Sequence, residues 1–307
     1  MMLSHTKKIV IMVMLFSCFH VYPSWSQEKV DIAVLIPQGW ILEGDDPAND
    51  IPPGAKDFTF EGIELIHSFS FFRFISHLED TGFNVKLYGS DTDDPVEVQS
   101  NSDVIYIPEA IGSASVLADY RNSPTPVIVA ETFLLDDMGF VSITDGLSND
   151  LNANMLKVVN PNHPITQGLP EVFPIGIPDP AANEPSFVVL NSFKTPALLA
   201  DLANANVGEV VVTASGFDVR DPMGPLEDNP AVIAVETGTG LVGGGSTQAR
   251  WVYLPFSDKA VVESPINAAS DGRTYELLSD FGFQIIVQAV EWALEQSANI
   301  SGWEVFE

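Results

Sequence analysis

Cysteine is nearly absent from this chain, since Cys18 stands alone in 307 residues, and cations are scarce, with 13 lysines and arginines against 42 aspartates and glutamates. Each shortage excludes a class of function. A chain cut after Ser26 holds no cysteine at all, which rules out disulfides, a thiolate nucleophile and cysteine-ligated zinc. The same cut removes Lys7 and Lys8 but no acid, so 11 of the 13 basic residues face all 42 acidic ones, for a net charge of about −31. A surface so negative repels phosphate backbones and anionic lipid, which argues against nucleic acid or a membrane surface as partner. Long apolar runs are also missing beyond residue 26, so no membrane span is expected there.

The one long apolar stretch lies at the start. Lys7 and Lys8 precede an apolar run from Ile9 to Cys18, followed by Pro23 and small residues at Ser24 and Ser26. That pattern reads as a secretory signal over residues 1–26, with 27–307 as one domain exported to the periplasm or the exterior. Leu15-Phe16-Ser17-Cys18 offers a minor alternative, a lipoprotein anchored through Cys18. Without disulfides an exported domain depends on its core, and this length is ample for a large one.

What is present is a rhythm of strand and helix. Val30 to Ile36 is a continuous apolar run, as expected for a strand buried on both faces. After a long polar loop, Phe58 to Asp80 has the length and stripe of a helix, and Asn84 to Tyr88 follows as a strand. Asp103 to Ile107 is the third strand, Ser113 to Arg121 a short helix and Pro126 to Ala130 the fourth strand. The expected fold class is α/β: a flavodoxin-like, mostly parallel sheet with helices on both faces and irregular antiparallel additions in the second half. Those additions are short strand candidates at Met155–Val159, Phe187–Leu190, Ala197–Leu202, Val210–Thr213, Ala231–Val235 and Trp251–Leu254, before a final helix from Tyr275 to Gln296. The Gly-rich segment from Glu236 to Arg250 lacks the lysine and the following helix of a phosphate-binding loop, so it reads as a hairpin connection.

Three motifs in order carry a resemblance: "DVIYIPEAIGSASVLADYRNSPTPVIVAETFLLDDMGF", "VVNPNHPITQGL" and "ARWVYLPF", the last followed by a helix ending "AVEWAL". Together they resemble the class I glutamine amidotransferase-like superfamily, and within it the exported ThuA-like (trehalose-utilisation-type) domains. The resemblance implies that Glu131 occupies the position where active relatives keep a cysteine nucleophile, and that Pro255, Phe256 and Ser257 stand where a His-x-Glu would be expected. A carboxylate there cannot replace a thiolate in amide hydrolysis, since the acyl product would be a labile anhydride. The chain is therefore read as a non-catalytic, ligand-binding or interaction module with no catalytic residues, its ligand a small molecule or carbohydrate.

The candidate binding residues are Gln38, Glu109, Glu131 and Thr132, at the carboxyl ends of successive strands, where ligands of such sheets sit. Two readings of Glu131 compete. As a pair with Glu109 it could serve glycoside cleavage, which needs carboxylates roughly 5 to 9 Å apart, or a ligand or hard-cation site. As a lone side chain it would cap the helix that follows. His163, in a turn-rich segment, reads as a histidine bonded to backbone, and His67 and His77 fall on different faces of one helix. The acidic clusters Glu43–Asp50 and Asp91–Pro95 lack a calcium-loop spacing, no G-x-S-x-G elbow is present, and nothing calls for a cofactor or a metal. No oligomeric state follows from the sequence.

Overall fold

The computed structural model describes residues 29–37, 58–60, 63–65, 69–109, 111–142, 148–151, 155–176, 186–192, 208–215, 217–218, 221–225, 230–262, 269–271 and 278–300. Its centre is a nine-stranded sheet made of β1 (Asp31–Ile36), β2 (Asn84–Gly89), β3 (Val104–Ile107), β4 (Val127–Val129), β5 (Met155–Val158), β6 (Val172–Pro174), β7 (Glu209–Ser215), β8 (Pro230–Val235) and β9 (Trp251–Tyr253). Their order across the sheet is β2-β1-β3-β4-β9-β8-β7-β5-β6. The first five of these pair in parallel, giving the 2-1-3-4-5 order of a flavodoxin-like fold when β9 is counted as the fifth strand. The remaining four are antiparallel and extend the sheet beyond β9.

The strands form where they do because both of their faces are covered. Along β1, Ile32, Val34 and Ile36 enter one core while Ala33 and Leu35 enter the other, and β3 divides Val104 and Tyr106 from Ile105 and Ile107 in the same way. This alternation within an all-apolar run is the signature of a doubly covered sheet. The first core lies under α1 (Phe69–Asp80) and α4 (Asp280–Ile300), whose Phe74, Ile75, Leu78, Phe283, Ile286 and Val290 belong to it. The second lies under α2 (Pro95–Ser100), α3 (Ser113–Val116) and the turns from Thr132 to Val141, which contribute Val98, Val116, Leu134 and Met138. Each fully buried Val, Leu or Ile stabilises the fold by about 1.5–3 kcal/mol relative to exposure, so the cores account for its cohesion without any crosslink.

Three elements are shorter than their sequence suggests. The expected helix from Phe58 to Asp80 begins only at Phe69; Phe58–Phe60 and Ile63–Leu65 pair antiparallel instead, Phe60 in register with Ile63, as the apolar-polar alternation of "FTF" and "IEL" allows. The helix expected over Ser113–Arg121 stops at Val116, where Leu117 takes φ 45°, outside the right-handed helical region. The last helix runs from Asp280 to Ile300 rather than from Tyr275 to Gln296, with Ser279 at its start: the Ser279 hydroxyl accepts from Gly282 N at 3.2 Å. Of the expected second-half strands, Ala197–Leu202 lies outside the described residues, and Phe187–Leu190 falls in Ser186–Ser192, part of a separate four-stranded sheet. No helix among the described residues is long and apolar enough to cross a membrane.

Candidate functional site

The carboxyl ends of the parallel strands form one rim, and two of the four candidate residues fall on adjacent strands of it. Ile107 of β3 is in register with Val129 of β4, so Glu109 and Glu131 each lie two positions beyond paired residues. The pairing continues one step past the strand, with Ala130 N donating to Ile107 O at 2.8 Å, and Leu254 N donates to Val129 O at 2.8 Å from the other side. Glu131 is thus the first residue of β4 released from the sheet. It does not enter an α-helix: the chain makes a single 3-10 turn, Thr132–Leu134, and then further turns to Phe140.

Glu131 is 4% exposed, and its Oε1 accepts the amide of Phe133 at 2.7 Å. Its backbone is ordinary extended chain, φ −77° and ψ 106°. A nucleophile elbow, by contrast, is sharp and strained, so that the reactive atom stands exposed above the sheet. The capping reading of Glu131 is the one the geometry shows. Glu109 is half-buried at the neighbouring strand end. Gln38 lies outside the described residues.

Thr132 points inward beside them. Its hydroxyl shares a 2.9 Å hydrogen bond with the phenol of Tyr253, a residue of β9 in register with Val129. Tyr253 is 4% exposed, and its ionisation is pushed far up, first by burial and then by the Glu131 and Glu109 carboxylates, with the Thr132 bond acting the other way. Both carboxylates therefore bear on one buried, neutral hydroxyl pair. Tyr253 was not among the residues singled out from the sequence. The available signal was a tyrosine inside an all-apolar strand, "WVYLPF", since a buried phenol needs a polar partner. Phe133, whose amide Glu131 caps, is 39% exposed.

The other sequence candidates have structural roles. In the cluster Asp91–Pro95, Asp94 caps α2 by accepting from Val96 N at 2.9 Å and Asp93 accepts from Gly89 N, so both act as backbone acceptors. His163 caps the 3-10 turn Pro164–Thr166, its Nδ1 accepting from Ile165 N at 3.2 Å, as the turn reading expects. Glu43–Asp50 and His67 lie outside the described residues. The Gly-rich segment joins β8 to β9 as a hairpin, with Gly238, Gly243, Gly244 and Gly245 at positive φ. It is tied down by Arg121, whose Nη2 donates to Val242 O at 2.7 Å and Gly244 O at 3.1 Å. Among the described residues no group of three or more His, Cys, Asp or Glu is placed to hold a metal ion.

Neither a family model nor a curated protein matches the chain. Solved structures that resemble it include a protein of Thermoplasma acidophilum provisionally named as a GMP synthase component, 10% identical with a TM-score of 0.47, covering 90% of this chain and 99% of that one. A ThuA-like protein of Bacteroides uniformis is 13% identical with a TM-score of 0.44, covering 89% and 95% respectively. A cytoplasmic protein of Salmonella typhimurium is 10% identical with a TM-score of 0.46, covering 86% and 98%. Likeness at this level carries no argument of its own, and the flavodoxin-like, α/β assignment stands on the strand order and register of the chain itself.

Proposed function

We propose that the protein is an exported ligand-binding or interaction module of glutamine amidotransferase-like fold, without catalytic activity, whose site is the rim formed by Gln38, Glu109, Glu131 and Thr132. The observation that carries this reading is the commitment of the Glu131 carboxylate, buried and bonded to Phe133 N in relaxed backbone geometry. Glu109, half-buried at the neighbouring strand end, offers a carboxylate acceptor to a polyhydroxylated small molecule, and the ThuA-like resemblance points the same way, to a carbohydrate. Fold alone does not assign a ligand, so the sugar rests on the acceptor at the rim together with that resemblance. The competing reading, a carbohydrate hydrolase acting through Glu109 and Glu131, rests on the adjacency of the two strand ends.

Glu131→Gln separates them, because its amide oxygen can still cap Phe133 N while it can neither ionise nor act as nucleophile. A thermal-shift screen of mono- and disaccharides should give a raised midpoint with the native chain that the variant largely keeps. Release of reducing sugar by the native chain, lost by orders of magnitude in the variant, would establish the hydrolase instead. Midpoints unmoved by every sugar would remove the carbohydrate reading.

A further inference from the structure

We propose that helix α4 is held by an acid-sensitive clasp, in which His77 and His163, both neutral, each share one aromatic ring of the helix with an arginine. The arrangement occurs twice. Near the start of α4, the His77 ring lies 4.3 Å from Phe283 and the Arg73 guanidinium 5.1 Å from the same ring. Nine positions later, about 13 Å along the axis, His163 lies 5.1 Å from Trp292 while Arg250 lies 4.4 Å from it. Phe283 and Trp292 are both buried, 2% and 3% exposed, so the groups around them are poorly screened.

A neutral imidazole suits such a contact; an imidazolium would press a second cation against a ring that already serves an arginine. At His163 the conflict is sharper. Nδ1 accepts the Ile165 amide, and a proton on Nδ1 would set two donors face to face and release the cap. That turn is bound to α4 by more than the ring, since Gln284 and Gln288 both donate to Gln167 O, at 3.3 and 2.8 Å. Arg250 in turn is fixed by Glu236, at 2.9 Å, and by the carbonyl of Trp292.

Carboxylates around the two histidines oppose this. Asp80 of α1 and Asp280 of α4 face His77, and Glu209 of β7, Glu236 after β8 and Glu295 of α4 face His163; each favours a proton. Burial, the largest cause at both sites, and the arginines outweigh them, holding both imidazoles below the ordinary 6.5. With folded values depressed, the stabilising contribution is whole above pH 6.5 and is lost as pH falls below it. The clasp therefore opens with the uptake of up to two protons.

The test compares the native chain with the double variant His77→Phe, His163→Asn, in which a ring still meets Phe283 and a short acceptor still stands at the cap. Urea unfolding between pH 7.5 and 5.0 should show the native unfolding constant rising against the variant's, by roughly threefold per pH unit for each histidine near 6.5 and by at most about tenfold per unit further below it. Parallel pH profiles would overturn the proposal. If the variant does not fold, imidazole proton resonances and α4 amide exchange in the native chain decide it. Both histidines titrating below 6.5, with protection of α4 lost over the same interval, is the expected result. A titration of either at or above 6.5, or protection indifferent to pH, would refute it.

Discussion

Among the described residues of the parallel half, backbone amides left open at strand and helix ends are mostly taken by carboxylates: Asp103 accepts from Asp31, Asp93 from Gly89, Asp94 from Val96 and Glu131 from Phe133, with the Ser123 hydroxyl, serving Thr125, as the exception. Among the described residues of the antiparallel half and at the start of α4 the acceptors are uncharged: His163 serves Ile165, Thr247 serves Thr239 and Ser279 serves Gly282. An ionised acceptor makes the stronger bond, and a carboxylate keeps its charge to lower pH than an imidazole keeps its lone pair. The contrast teaches that a strongly acidic chain need not carry its acids as idle surface charge. One half of this one uses them to finish its turns; the other relies on uncharged groups, of which the His163 imidazole is the one that acid disarms.

The largest test of that contrast is Trp292→Ala, which removes the ring shared by His163 and Arg250. It should cost about 3–5 kcal/mol in urea unfolding at pH 7, and the cost should shrink below pH 6.5, where the clasp is already weakened. Next in size are the two caps. Glu131→Ala and His163→Ala should each cost about 1 kcal/mol at pH 7, and the His163 penalty should diminish by pH 5 as the imidazole takes up a proton; a His163 penalty unchanged with pH would remove the acid-labile cap from the antiparallel half. Tyr253→Phe leaves the buried Thr132 hydroxyl without its phenol and should cost about 1 kcal/mol at any pH from 5 to 8. The smallest effect belongs to Asp31, at the amino end of β1, whose carboxyl is held below 3.8 by Asn84 first and then by Lys86. Its contribution is present above pH 3.8 and is lost as pH falls further, so Asp31→Asn should flatten the melting profile only below that value.

The parallel core was legible in the sequence because a strand covered on both faces is apolar throughout, and β1, β2, β3 and β4 fall within a residue or two of where the runs of Val, Ile and Tyr place them. The switch to antiparallel pairing was legible only as irregularity, because register shifts such as those between β7 and β8 interrupt the alternation that would mark it. Helix lengths failed where tertiary context decided, as at "FTFEGIEL" and at Leu117. At the rim, Glu131 and Thr132 were found by position in the strand order, and the cap reading of Glu131 by its place at a strand end. Tyr253 was missed because its partner, Thr132, is distant in sequence and meets it only when β9 lies beside β4. The two aromatic clasps were equally invisible, since each joins residues from separate elements across α4.

The fifth parallel strand carries a kinetic consequence. Trp251 pairs with Val127, and the whole antiparallel extension is inserted between them in the chain. Closing so wide a loop is slow, and until it closes, the free edge of β4 is an open template for other chains. A chain whose first four parallel strands had paired before β9 arrived would expose that flank, and it is then that aggregation is expected to compete most strongly with folding.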